Sequence, residues 1–244
     1  MSYTKRDGLL YDKMRKQMIR KNDSKTAVLK NKKEKRMHMT TKEMVEKLRD
    51  FSVPELCDGM EEPRVMDYQV KPLAAGRKIV GPAYTVDAPY GVSGIIPDAL
   101  LEVKEGDVMV IAGKGECNHS YWGDHRSICA KLQGVEGVVI DGAFRDIEGC
   151  REAGVPIYAK AVIPQSCKKS AEGELNVTIT CAGVKIHPGD LIVGDENGVC
   201  VIRPEEVESV IKKSERKIKA QNETIDEMLK TGKILPRVIF KDKK

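Results

Sequence analysis

Two short segments concentrate the residue types that can do acid–base, metal or carboxylate chemistry. The first is Tyr121-Trp122-Gly123-Asp124-His125-Arg126. The second is Val138-Val139-Ile140-Asp141-Gly142-Ala143-Phe144-Arg145-Asp146. In the second, an apolar run reads as a buried strand that runs into Asp-Gly and then presents an adjacent Arg-Asp pair. Polar residues crowded at a strand end are a usual place for a site. The guanidinium fork of Arg145 can hold a carboxylate or an enolate oxygen, and the Asp146 carboxylate can ligate a hard cation such as Mg2+. Gly123-Asp124 adds a second carboxylate at an expected helix start, where free backbone N–H groups suit a bound carboxylate. The same residues admit a purely structural reading, with Arg145 and Asp146 in a salt bridge and Asp124 as an N-cap. Residue type alone leaves both readings open.

Other chemistry finds less support. His119 and His125 are six apart, a poor spacing for sharing a helix face, and His38 and His187 suggest none. Gly113-Lys114-Gly115 lacks the third glycine of a dinucleotide loop and the terminal Lys-Ser/Thr of a phosphate loop. The seven cysteines (57, 117, 129, 150, 167, 181 and 200) are odd in number, scattered and without a CxxC pair. They argue against a disulfide framework or a thiolate zinc site, and point to structural thiols in a reducing, cytoplasmic compartment. The N-terminus has no apolar stretch of a secretory signal, and no apolar run approaches the ~18 residues of a membrane span.

The elements that must position Arg145 and Asp146 begin near Thr41. Thr40 or Thr41 caps a helix with Met44, Val45 and Leu48 on its apolar face, and a second helix starts near Val53-Pro54, where proline is tolerated. Strands are expected over Lys78–Val86, broken at Gly81-Pro82, and over Asp107–Ala112, Val135–Asp141, Pro156–Val162, Asn176–Thr180 and Gly183–Ile186. A final pair, Leu191–Val193 and Val199–Ile202, flanks Asn197-Gly198, a tight-turn signal. One helix ends near Leu100–Val103. Another spans Asp124–Gln133 with Ile128, Cys129 and Leu132 facing inward, and Gly134 ends it. A long C-terminal helix runs from Pro204-Glu205 to Gly232. This is a mixed α/β pattern of short elements without regular βαβ alternation. The net charge of +5 is segregated: residues 1–40 hold 13 Lys/Arg and 4 Asp/Glu, a balance of +9, so residues 41–244 carry −4. Residues 1–40 therefore read as a basic extension that could meet nucleic acid or an acidic surface, and 41–244 as the folded domain.

The run Gly134–Asp146, Gly154-Val155-Pro156-Ile157-Tyr158-Ala159, Gly81-Pro82-Ala83-Tyr84-Thr85, Glu105–Val110 and Pro188-Gly189-Asp190 with Asp195–Val199 together resemble the regulator of ribonuclease activity A family. The resemblance covers roughly residues 42–232. It implies a layered β/β/α, swivelling-domain-like fold. It also implies one of two roles: a divalent-metal-dependent 4-hydroxy-4-methyl-2-oxoglutarate aldolase with oxaloacetate decarboxylase activity, or a non-catalytic regulator that binds a ribonuclease. The aldolase branch keeps Arg-Asp, as this chain does at Arg145-Asp146. It also places an acid three residues later, where this chain has Gly149, with Glu148 one position early.

By that resemblance Asp146 ligates Mg2+ or Mn2+ and Asp124 holds a metal-bound water. Arg145 stabilises the pyruvate enolate, and the backbone of Gly123, Asp124, His125 and Arg126 holds the substrate carboxylate. Glu223, from the C-terminal helix of a neighbouring subunit in a homotrimer, is the candidate base for the substrate hydroxyl. An older family label, a menaquinone methyltransferase, finds no glycine-rich S-adenosylmethionine loop here.

Overall fold

A computed structural model of the chain describes residues 39–240. Residues 1–38 of the basic extension lie outside the described residues.

The domain opens with helices α1 (Thr41–Leu48) and α2 (Val53–Gly59). α2 starts with a capping box: Ser52 Oγ accepts from Glu55 N while Glu55 Oε2 accepts from Ser52 N at 2.7 Å. Next come β1 (Lys71–Ala74), β2 (Ile79–Asp87), α3 (Ile96–Glu102), β3 (Val108–Trp122), α4 (Asp124–Leu132), β4 (Gly137–Phe144), α5 (Ile147–Ala153) and β5 (Ile157–Val162). Five short strands follow: β6 (Glu174–Leu175), β7 (Ile179–Cys181), β8 (Val184–Ile186), β9 (Leu191–Asp195) and β10 (Gly198–Ile202). After a 3-10 turn at Pro204–Glu206 comes the long helix α6 (Val207–Thr231), ended by left-handed Gly232.

Eight strands form one mixed sheet in the order β1-β5-β4-β3-β2-β9-β10, with β6 beside β2. β2, β3, β4 and β5 are parallel neighbours in chain order, joined by α3, α4 and α5. Regular βαβ alternation is therefore present over residues 79–162, contrary to the pattern read from sequence. The alternation is faint in the sequence because α3 and α5 are only seven residues each. The outer strands approach one another, with Lys71 Nζ donating to Asn197 O, so the sheet is nearly closed.

Alternation along the strands builds two cores. Met109, Ile111, Val138 and Ile140 face α3, α4 and α5 through Ile96, Leu100, Ala130 and Cys150. Val108, Val110 and Val139 face the other way, onto the β7–β8 hairpin and β9–β10. Helices on one face of the sheet and a strand hairpin on the other give the layered arrangement that positions the site.

Three local expectations are corrected. Gly81-Pro82 does not break β2. Residues 79–82 pair antiparallel with β9 and 83–87 pair parallel with β3, so Pro82, which has no N–H, falls where the strand changes partner. β3 does not stop at Ala112. It continues to Trp122 through register shifts, with Lys114 and Gly115 at positive φ. The inward face of α4 is not Ile128 and Leu132, which are 51% and 82% exposed; Ser127 and Ala130 are buried.

Candidate functional site

The ends of β3 and β4 are adjacent parallel strands that finish side by side at Trp122 and Phe144. Both chains then turn out of the sheet into helices, and these two corners hold the residues singled out from sequence. At the first corner Gly123 is the extended N-cap of α4, so the first N–H groups of that helix lack intrahelical acceptors. His125 N donates to Asp124 Oδ1 at 2.6 Å. At the second corner Asp146 is the N-cap of α5 with φ 56° and ψ 48°. This left-handed conformation costs a residue with a Cβ about 1 kcal/mol. It turns the chain sharply, with Cys150 N closing onto Asp146 O at 2.9 Å.

Arg145 Nε and Asp146 Oδ2 are 3.0 Å apart, both side chains about two-fifths exposed. Arg145 N donates to Trp122 O, tying the two corners together. The pair lies on the wall of a cavity of about 210 Å3 that also includes Trp122, Gly123, Asp124, His125 and Arg126. Glu223 is not among its lining residues; it sits half-buried on α6. A second, more open hollow of about 400 Å3 shares Arg145 and Asp146 and adds Ile147, Glu148, Gly149 and Val162–Pro164.

Some roles differ from what residue type suggests. The Arg126 guanidinium is engaged: Nη1 donates to Tyr121 O, and Nη2 to Ser93 O at 2.9 Å. Burial, with the nearby Arg145 charge, lowers its pKa from the usual arginine value. Its side chain clamps the 89–95 loop, leaving the backbone as its contribution to the corner. Asp141, in the same apolar run as Arg145, lies outside the cavity. It accepts from Ala182 N at 2.9 Å and pairs with Lys160 at 2.8 Å, joining β4 to the β7–β8 hairpin and to β5.

Sequence reading missed the rest of the cavity lining: Ser93, Ser120, Ser166, Cys167 and Lys169. They come from three chain segments brought together by the isolated bridges Val92↔Lys168 and Ser120↔Ser166, and no local spacing announces them. Lys169 adds a cation to this lining. Cys167 is buried and its pKa is pushed up to about 11 by that burial.

No group of three or more His, Cys, Asp or Glu is arranged to hold a metal among the described residues. The donor set therefore does not fit an all-protein cage. It does fit the looser mode of Mg2+, which is commonly held by one or two carboxylates with water and substrate completing the shell. Asp146 and Asp124 are the carboxylates in this cavity that would serve in such a mode. Among the described residues, no helix is long and apolar enough to cross a membrane.

The fold is that of a known family. The family model described as "RraA-like: Aldolase/RraA" matches residues 53–201, and the chain belongs to this family. It is 38% identical over 168 residues to a Halalkalibacterium halodurans protein bearing a provisional 4-hydroxy-4-methyl-2-oxoglutarate aldolase name, covering 68% of this chain and 80% of the relative. It is 37% identical over 194 residues to an uncharacterised protein of Methanocaldococcus jannaschii, covering 79% of this chain and 91% of the relative. Among solved structures it is similar to the RNA-processing inhibitor RraA from Thermus thermophilis, with TM-score 0.59 and 25% identity over 63% of this chain and 93% of that one.

Proposed function

We propose that the chain is a divalent-metal-dependent lyase that cleaves 2-oxo acids of the 4-hydroxy-4-methyl-2-oxoglutarate type to pyruvate and decarboxylates oxaloacetate. The observation that carries this reading is the Arg145–Asp146 pair held at 3.0 Å on a cavity wall beside the start of α4. Asp146 would hold the cation, with Asp124 nearby; when bound, the metal supplies a Lewis acid beside the substrate's oxygens. The free N–H groups at Asp124 and Arg126 receive the substrate carboxylate at a positive helix end. The Arg145 guanidinium stabilises the negative charge left on the pyruvyl oxygen when the C–C bond breaks, whether the departing fragment is a carbonyl compound or CO2. Asp124 accepts and returns a proton through water. Lys169, in the same cavity lining, adds positive charge for an anionic substrate. In a homotrimer, Glu223 of a neighbouring copy takes the substrate hydroxyl proton.

The test is pyruvate release from 4-hydroxy-4-methyl-2-oxoglutarate and oxaloacetate consumption, with and without Mg2+ or Mn2+. Activity should vanish with chelator and in Asp146→Ala. Activity untouched by both would exclude the reading.

A regulatory reading rests on Gly149, where the aldolase pattern has an acid, and on the likeness to a protein titled an RNA-processing inhibitor. It predicts no turnover on any 2-oxo acid and saturable binding to a ribonuclease.

A further inference from the structure

The Arg145–Asp146 pair borders two spaces of different chemistry. The cavity of about 210 Å3 is polar, lined among others by Ser93, Ser120, Ser166 and Lys169. The open hollow of about 400 Å3 shares the pair but is floored by Ile147, Val162, Ile163 and Pro164. Val162 is the last residue of β5 and pairs with Phe144, the residue before Arg145. It is nevertheless 45% exposed, so its apolar surface is available to a ligand. Ile163 continues the contact, its N–H donating to Phe144 O at 2.9 Å. The backbone thus fixes an apolar floor directly beside the residue that carries the guanidinium. Glu148 is the one further charged residue in this lining, and it is exposed. Gly149 has no side chain, so position 149 sends no carboxylate into the hollow. An apolar surface with a few polar groups at its edge is the usual composition of a small-molecule subsite.

We propose that this hollow receives an apolar group on C4 of the substrate. The chain then cleaves 4-hydroxy-2-oxo acids that carry an alkyl or aryl substituent there in place of a second carboxylate. The inference rests on the lyase reading and narrows its substrate class. The pyruvyl half lies at the pair from the polar side, and the departing half extends past the pair over Ile147 and Val162. In the reaction the C4 hydroxyl gives up its proton, and its electron pair forms the carbonyl of an apolar aldehyde. The C3–C4 bond breaks, its electron pair passes to the pyruvate enolate, and C3 then takes up a proton. Pyruvate and the aldehyde account for every atom, and nothing is oxidised or reduced. Burial of the C4 substituent favours binding in proportion to the apolar area it removes from water. That contact lies away from the reacting oxygens, so it can position the bond to be broken.

The experiment has two arms, both on the full-length chain with Mg2+. Calorimetry compares pyruvate with 2-oxo-4-phenylbutanoate, which has the aryl arm but no C4 hydroxyl and cannot be cleaved. The aryl compound should bind about tenfold tighter or better. In the second arm, kcat/KM for pyruvate release from 4-hydroxy-2-oxo-4-phenylbutanoate should exceed that from 4-hydroxy-4-methyl-2-oxoglutarate by a similar factor. Val162→Asn combined with Pro164→Ser should remove both gains while oxaloacetate consumption stays at the wild-type level. Oxaloacetate turnover without any aryl advantage overturns this inference and leaves the lyase reading standing. No turnover on any of the three substrates overturns both. An aryl advantage that survives in the double variant puts the arm elsewhere and overturns the assignment of the hollow. So does a double variant with a changed oligomeric state, which would give the hollow to a neighbouring copy.

Discussion

Gly123 and Asp146 touch across the two corners: a Cβ on Gly123 would stand 2.7 Å from Asp146 Oδ2. The backbone at Gly123, with φ −167°, is extended and open to any residue. The glycine is therefore required by proximity, not by conformation. Gly123→Ala should push the Asp146 carboxylate away from its place beside Arg145 without unfolding the chain. Misplacing reacting groups by about 1 Å can cost on the order of 10²-fold in rate, and that is the expected fall in kcat/KM for oxaloacetate. A melting temperature close to wild type should accompany it. Undiminished activity in this variant would show that the pair is not part of the machinery.

The first corner is held from beneath by Ser127, which is fully buried. Its Oγ accepts from Trp122 Nε1 at 2.8 Å and donates to Gly123 O at 3.1 Å. Ser127→Ala leaves the indole N–H buried without a partner, at a cost of about 1–3 kcal/mol. For a chain of this size, each kcal/mol should lower Tm by roughly 2–4 °C. Trp122 is the single tryptophan, so intrinsic fluorescence reads this corner alone. Loss of the hydrogen bond should shift its emission, and a variant matching wild type in both Tm and emission would remove Ser127 from this role.

These corners show which parts of the molecule local sequence could reveal. The first half of β4 was legible because Val138-Val139-Ile140, buried on both faces, reads as an apolar run, whereas its continuation past Asp141 to Phe144 was not. The end of α6 was legible because Gly232 takes the left-handed conformation its residue type allows. β3 was half hidden: residues 113–120 are polar and bulged, and the strand persists there through pairing with Gly142 and Ala143 and the bridge from Ser120 to Ser166. The inner face of α4 misled because close approach to the sheet selects Ser127 and Ala130, leaving Ile128 and Leu132 outside. Arg145 and Asp146 could be named from one segment, whereas Lys169 reaches the same cavity only through bridges between distant segments.

Asp141 should matter for stability and not for the reaction. Its side chain and that of Lys160 are each nearly buried, and Lys160 also faces Asp67 at 3.3 Å. Asp141→Ala strips Lys160 of its nearer partner and leaves Ala182 N–H unpaired, so a loss of about 3 kcal/mol is expected. Denaturant unfolding measures this, and kcat per folded molecule should hold. Burial pulls the Lys160 pKa down, but Asp141 and Asp67 together leave it above the usual lysine value. A raised folded pKa means this stabilisation is complete below the unfolded lysine value of about 10.4 and is lost as pH rises through the higher folded one. Wild-type stability should therefore decline at strongly alkaline pH, and Asp141→Ala should show a weaker decline. Equal alkaline slopes in the two proteins would contradict the assignment.

Gly149 decides how this chain departs from the aldolase pattern. A Cβ there would lie 2.7 Å from Asp124 Cβ and 3.2 Å from Asp124 Oδ2, so Asp124 rests against the place where an acid at position 149 would begin. The two side chains compete for one space. Gly149→Ala should displace Asp124 and lower turnover several-fold while leaving the Arg145–Asp146 pair in place. Gly149→Glu adds a negative charge to the same displacement, and like charges that close raise the pKa of one of them. Its activity should fall further than that of Gly149→Ala and recover partly as divalent metal concentration rises, since a cation offsets the repulsion. Metal binding followed by Trp122 fluorescence separates the two effects, with tighter binding expected in Gly149→Glu than in Gly149→Ala. If Gly149→Glu instead exceeds wild type in turnover at every metal concentration, Asp124 does not occupy the space of the missing acid, and the native chain is a weakened form of the enzyme pattern.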